Sequence, residues 1–346
     1  MTAETLPLTS ARTSWRIAKA TGLVILFSVL LLVLVLSLRI GSLGLTTDDA
    51  LNALFNYNAE SYEQTVVRSL RLPRTVIGLG VGAALAVSGA VVQAATRNPL
   101  AGPSILGVSS GASFAVVTAI FFLGVTTPEG YVWFAFAGAT GASVLVYGVA
   151  SAGRGGATPV KLALAGVIVS ALLGSWSTAL VLLDQETLHQ VRFWNAGSLA
   201  GRPLDIFWTV LPFMAIGLVG SVLLSRQLNV MSLGEDTARA LGLHTGRLRI
   251  IAGVLVILMT GAAVAAAGPI GFVGLAVPHM VRIFTGPDYR WIIAYCLFAG
   301  PILLLGADIV GRIIVRPSEL QVGIITALCG APVLIAIARR RRIADL

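Results

Sequence analysis

The sequence predicts an all-α, polytopic membrane protein of about ten spanning helices, and three observations carry that prediction. Of its 346 residues 56% are hydrophobic and 11% charged, with a mean hydropathy of +0.90; an average soluble domain is about 25% charged. The apolar residues are gathered into runs near the roughly 20 residues that a bilayer crossing needs. The basic residues behind the net charge of +9 are spread thinly between those runs. That spread fits membrane orientation and not a nucleic-acid surface. A soluble enzyme, a disordered chain and a disulfide scaffold are excluded by the same sums, and residues 1–346 read as a single transmembrane domain.

The first run, 20–38, follows Arg12, Arg16 and Lys19. It is long for a signal peptide and no A-x-A site follows it, so it reads as a retained span behind a tail of residues 1–19. Later spans fall at about 74–96, 105–125, 131–152, 160–183, 206–228, 248–267, 270–284, 290–309 and 320–338, the eighth being short and rich in Gly and Pro. With the N-terminus placed inside and the spans alternating, 16 of the 24 basic residues fall inside and 8 outside. This obeys the positive-inside rule and sets both termini in the cytoplasm. Acidic residues fall the other way, ten outside and five inside.

The second span is followed by Ala101-Gly102-Pro103 and the seventh by Ala267-Gly268-Pro269, each leading into a Gly-rich stretch. This echo marks helices 2–5 and 7–10 as inverted repeats or is simply turn punctuation. The second span carries Gly78, Gly80, Gly82 and Gly89 among small residues, and small faces let helix backbones approach closely in lipid. Asn98-Pro99 stops it, with Asn98 read first as a structural cap.

The only lysines, Lys19 and Lys161, stand in no phosphate-binding loop. ATP, if used, is held by another subunit, and no cofactor is assigned to this chain. Cys296 and Cys329 lie in apolar runs, and His189, His244 and His279 are isolated, so no metal site is read. A lone His279 near a helix end fits a hydrogen-bonded structural role better than heme or metal ligation.

Four segments together resemble one family: RLPRTVIGLGVGAALAVSGAVVQAATRNPLAGPSILGVSSGASF at 71–114, LGEDTARALGL at 233–243, GPIGFVGLAVPHMVR at 268–282 and GADIVGRIIVRPSELQVGIITALCGAP at 306–332. They are similar to the FecCD-type permeases, membrane subunits of ABC importers for ferric siderophores, heme and cobalamin. The resemblance covers about 66–338. It implies a second permease subunit, identical or paralogous, two cytoplasmic ATPases that hold ATP and Mg, and an extracytoplasmic binding protein. It also implies a bacterial cytoplasmic membrane and no enzymatic step in this chain.

The resemblance carries three site assignments. Arg71, Arg74 and Arg312 match positions that meet acidic residues of the binding protein; each alone is also explained as a snorkelling anchor, but arginine forks suit carboxylates. Asp308, one turn before Arg312, is expected to pair with it. The loop at 229–247, with Leu233, Gly234, Glu235, Asp236, Arg239, Leu241 and Gly242, reads as a short amphipathic helix between Gly234 and Gly242 and matches the element that couples the permease to its ATPase; a plain connection needs only a few residues. The 153–160 loop, with Thr158, Pro159 and Val160, matches a cytoplasmic gate or is an ordinary turn.

An ion-coupled secondary transporter keeps acidic residues near the membrane midplane; here they lie in loops or at helix ends. A membrane enzyme needs a nucleophile–base pair or a metal cluster, which three scattered histidines do not supply. The segment RFWNAGSLAGR at 192–202 resembles the ferric-siderophore branch more than the cobalamin branch, with heme or cobalamin as the alternative cargo.

Overall fold

A computed structural model describes residues 8–41, 44–125, 127–152, 158–316 and 318–339. The described residues form fourteen α-helices and no strand. They are α1 Leu8–Arg39, α2 Thr47–Phe55, α3 Tyr62–Val66, α4 Leu72–Thr96, α5 Val108–Leu123, α6 Pro128–Ser151, α7 Pro159–Leu183, α8 Gln185–Asn195, α9 Leu204–Ser232, α10 Glu235–Ala240, α11 Thr245–Ala267, α12 Val273–Thr285, α13 Tyr289–Ile314 and α14 Val322–Arg339. A π turn at Val67–Arg71 joins α3 to α4, and a 3-10 turn at Pro103–Leu106 leads into α5. Among the described residues seven helices are long and apolar enough to cross a membrane, and α5, α12 and α14 are shorter apolar helices. The ten agree with the ten expected spans, and the eighth, α12, is the short one at 13 residues, about 20 Å of rise.

Four helices lie outside the ten expected spans, and local capping explains three of them. Thr46 and Asp49 form a capping box before α2, Ser61 caps α3, and Asp184 accepts from the Thr187 N–H to start α8. These side chains satisfy amides that have no partner in the first turn.

Helix α4 is the centre of the bundle, packing on α9, α11, α12 and α13. Its small face lets it do so. A Cβ on Gly89 would stand 1.7 Å from the Gly274 carbonyl oxygen, and one on Gly82 would stand 2.7 Å from the backbone of Pro301. Gly89→Val is expected to cost about 3 kcal/mol or more, because a backbone neighbour cannot yield as a side chain does. A lowered thermal midpoint in detergent checks this.

The packing of α4–α7 is repeated by α11–α14. The contacts α4–α13, α5–α6, α5–α7, α6–α7 and α4–α12 have as counterparts α11–α6, α12–α13, α12–α14, α13–α14 and α11–α5. Since α4 and α11 are the second and seventh crossings, they run in opposite directions, so the repeats are inverted. The two helix breaks meet: Cβ atoms built on Gly274 and Gly102 would touch Pro103 and Leu275 respectively. Irregular backbone at membrane depth is tolerated where protein covers it, and Ala101, Gly102, Pro103, Gly268 and Ile270 are buried.

Candidate functional sites at the two ends of the bundle

Arg71, Arg74 and Arg312 are brought together at one end of the bundle, and they face inward. All three are buried, Arg312 to 1% exposure. The π turn and the first turn of α4 set Arg71 and Arg74 on one side, three residues apart. Asp308, fully buried on α13, accepts from Arg74 Nε at 2.9 Å and Nη2 at 2.7 Å, and from Arg312 Nε at 3.0 Å and its Nη2. The Asp308–Arg312 pairing read from spacing is therefore present, and Arg74 joins it. Arg74 Nη1 also reaches Glu319 at 2.5 Å. Arg312 Nη1 donates to the Ser37 and Ile40 carbonyls at 2.7 and 2.9 Å, and Arg71 Nη1 to the Leu38 carbonyl at 3.0 Å and that of Arg39. Together they staple the end of α1 to α4 and α13. In a low-dielectric setting a buried guanidinium is held by fixed acceptors, and here Asp308 and the carbonyls supply them. A cavity of about 190 Å³ beside Arg71, Arg74, Arg312 and Glu319 gives access to the cluster. Glu319 and the α1 carbonyls were not singled out in the sequence; only the Asp308–Arg312 spacing was a readable signal.

At the opposite end, Gly234 at φ +113 turns the chain from α9 into the six-residue α10. That backbone region favours glycine. Glu235 accepts from Arg239 Nη2 at 2.6 Å and from Arg249 Nη2 at 2.7 Å, tying α10 to the first turns of α11. Ala238 is buried beneath, while Leu233, Asp236, Arg239, Leu241 and Gly242 are exposed. The hydrogen bond from Arg249, helped by the charges of Arg249 and Arg239, holds the Glu235 carboxyl below its ordinary range. The structure thus brings the 233–243 residues into one rigid, projecting unit.

Of the 153–160 loop, residues 153–157 lie outside the described residues. Thr158 caps α7, accepting from the Lys161 N–H at 3.3 Å, Pro159 is its first residue, and Val160 is exposed. Leu162, one turn on, lines a small cavity with Thr96, Tyr147 and Arg249. Asn98 accepts from the Leu100 N–H at 2.9 Å, a local turn that fits its structural reading. Among the described residues no group of three or more His, Cys, Asp or Glu is placed to hold a metal ion.

An apolar groove of about 670 Å³ runs beside α14, lined by Asn195, Pro269, Phe272, Ile324, Leu328 and Ile335 among others. Phe272 stands at φ +67, an uncommon conformation for a bulky side chain. The glycine at 330 leaves it room, since a Cβ there would meet the Phe272 ring at 2.4 Å.

Ten apolar helices in an inverted repeat, with a polar staple at one end and a projecting helix at the other, define a multi-pass membrane permease. The chain belongs to the FecCD transport family, whose model matches residues 29–340. It is 41% identical to a probable siderophore transport system permease protein of Bacillus subtilis, YfiZ, over 92% of this chain and 95% of that one. It is 44% identical to the ferric enterobactin transport system permease protein FepD of Escherichia coli, over 91% and 94% respectively. A cobalamin import system permease protein of Halobacterium salinarum, BtuC, is 40% identical over 82% of this chain and 76% of that one. Among solved structures, a metal-chelate type ABC transporter in an inward-facing conformation superposes with a TM-score of 0.80 at 30% identity, covering 92% of this chain and 99% of the other.

Proposed function

We propose that this chain is the membrane subunit of an ATP-driven importer that moves an iron chelate, a ferric siderophore in the first place, across a bacterial cytoplasmic membrane. The observation that carries the reading is the pairing of two built ends on one apolar bundle: the arginine staple at one and the braced α10 at the other. The ferric cargoes in the names of the relatives supply the substrate class. A second identical or paralogous permease lies against this one in the lipid bilayer. Two ATPases, holding ATP and Mg, dock on α10 from the cytoplasm; exposed Leu233 and Leu241 beside it suit a cleft in such a partner. The residues at 158–160 act as a cytoplasmic gate at the start of α7. The groove beside α14, with its small and apolar lining, forms part of the path.

A loaded binding protein docks at the other end and places a carboxylate in the cavity beside Arg71, where three guanidiniums face two carboxylates. Charge steering at such a cleft is favourable to an acidic partner. Arg71→Glu is then expected to weaken docking at least tenfold, whereas Glu319→Gln leaves it unchanged or tightens it. Binding-protein titration onto the nanodisc-embedded complex measures both; equal effects of the two changes reject the docking assignment.

The transport reading is tested in proteoliposomes. The chain alone is expected to be inert. With an ATPase and a binding protein it is expected to accumulate a ferric hydroxamate only when ATP is supplied. Accumulation driven by an ion gradient without ATP favours a secondary transporter instead. The relative named for cobalamin makes that cargo the second reading, and uptake of cobalamin in preference to the iron chelate establishes it.

A further inference from the structure

At the end of the bundle that carries α10, one basic side chain is clamped between two indoles. Lys19 Nζ of α1 lies 5.0 Å from the ring centre of Trp15 and 5.9 Å from that of Trp291 on α13. The clamp is fixed in place: Tyr295 donates from its hydroxyl to the Lys19 carbonyl at 2.7 Å, and Gly22 leaves room for that tyrosine. Exposed Arg290 adjoins Trp291 in the chain. Asn229 of α9 bonds Asp288 at 2.6 Å, which places this corner at the α10 end. Asp288 is already engaged by that amide and by the Arg290 N–H. Among the described residues neither Lys19 nor Arg290 has an ion-pair partner.

From this corner an apolar seam runs deeper. Phe27 of α1 meets Phe298 of α13 edge-on, with centroids 6.0 Å apart, roughly 12 Å further along the helix from Lys19. Val24, Ile25, Leu31 and Leu32 of α1 are exposed, and only 17% of the apolar window of that helix is buried. The apolar surface around the clamp is therefore left uncovered by this chain, and a ligand with a negative head and an apolar tail fits it.

We propose that Lys19, Arg290, Trp15 and Trp291 form a binding site for the phosphate headgroup of an anionic phospholipid, whose acyl chain lies in the α1–α13 seam. Tryptophans suit the headgroup level, with ring in hydrocarbon and N–H in water, and each basic residue near a membrane surface favours an anionic lipid. The lipid bridges α1, which is little buried, to the body of the permease at the end where α10 projects.

The test is lipid retention by the purified full-length chain in mild detergent, read by native mass spectrometry with phosphatidylglycerol or phosphatidylcholine added. We expect phosphatidylglycerol to be retained on the order of tenfold better, the joint effect of two charges. The double change Lys19→Gln, Arg290→Gln is expected to abolish most of that preference. Equal retention of the two lipids by the unaltered chain, or an unchanged preference in the folded double variant, overturns the proposal. If the variant does not fold, quenching of the unaltered chain's tryptophans by brominated lipid decides: stronger quenching by the anionic lipid supports the site, and equal quenching rejects it. Inorganic phosphate binding as well as the lipid also rejects it, since the seam then contributes nothing.

Discussion

Asp308→Ala is expected to be the most damaging single change in this chain, lowering stability by about 3–5 kcal/mol. Asp308 is fully buried and accepts from both Arg74 and Arg312. Its removal leaves two guanidiniums in a low-dielectric interior with their main counter-charge gone. Arg74 retains Glu319, but Arg312 retains only Ser37 and the Ile40 carbonyl. Breaking a buried pair in this way costs more than the pair contributes net, because the desolvated charge stays behind. Asp308→Asn, which keeps an acceptor oxygen, is expected to lose less, and Glu319→Ala, at a partly exposed site, less again. Thermal unfolding in detergent gives the order. A further variant separates structure from docking: Arg74→Met, Asp308→Leu and Arg312→Met together remove the three charges of the Asp308 cluster, leaving Glu319 at its partly exposed site and Arg71 on its α1 carbonyls. This variant is expected to recover part of the stability while still binding the docking partner poorly. If Asp308→Ala unfolds at the wild-type temperature, the staple does not hold α1, α4 and α13 together.

The transmembrane part of this architecture was legible because lipid imposes a length and a composition on each crossing. The small residues of α4 were equally readable, since glycine at 82 and 89 has one main use in a membrane helix, which is close approach. Charge counting assigned the arginines to an end of the bundle, but it carries no information about where a side chain points. Arg74 and Asp308 are 234 positions apart, and no local period predicts such a pair; Asp308 and Arg312, one helical turn apart, could be read together. The capped helices α2, α3 and α8 were missed for a different reason. Their signals are short polar motifs, Thr46 with Asp49 or Asp184 with Thr187, which look like loop composition until the backbone is seen to close a turn around them. Helix α10 was readable because it combines Gly234 and Gly242 as boundaries with charges that recur at helical spacing.

Glu235 and Arg249 are expected to give the largest effect on transport with the smallest effect on assembly. Their 2.7 Å pairing joins α10 to the first turns of α11, and Arg249 also lines the small cavity that reaches Leu162 near the start of α7. Under the proposed coupling role, a push on α10 is passed to α11 and to α7 only if this link is stiff. Glu235→Ala and Arg249→Ala are each expected to lower ATP-dependent uptake by about tenfold or more, while the ATPase still co-purifies, because the exposed Leu233 and Leu241 remain. The double alanine variant is expected to be little worse than either single one, the signature of one shared interaction. If the two single losses simply multiply in the double variant, the pair does not act as a unit. The pH dependence has a fixed sign. A carboxyl whose folded value is depressed contributes stability that is present above the unfolded value and lost as pH falls through the folded one. Uptake should therefore be insensitive to this link across neutral pH, and the link should open only once the pH has fallen below the ordinary range of a glutamate carboxyl. A loss of coupling near pH 6 that disappears in Glu235→Ala contradicts the depressed carboxyl. Arg249→Lys is the sharper probe at neutral pH, since it keeps the charge but not the guanidinium fork. Intermediate uptake in that variant assigns the stiffness to fork geometry as well as to charge.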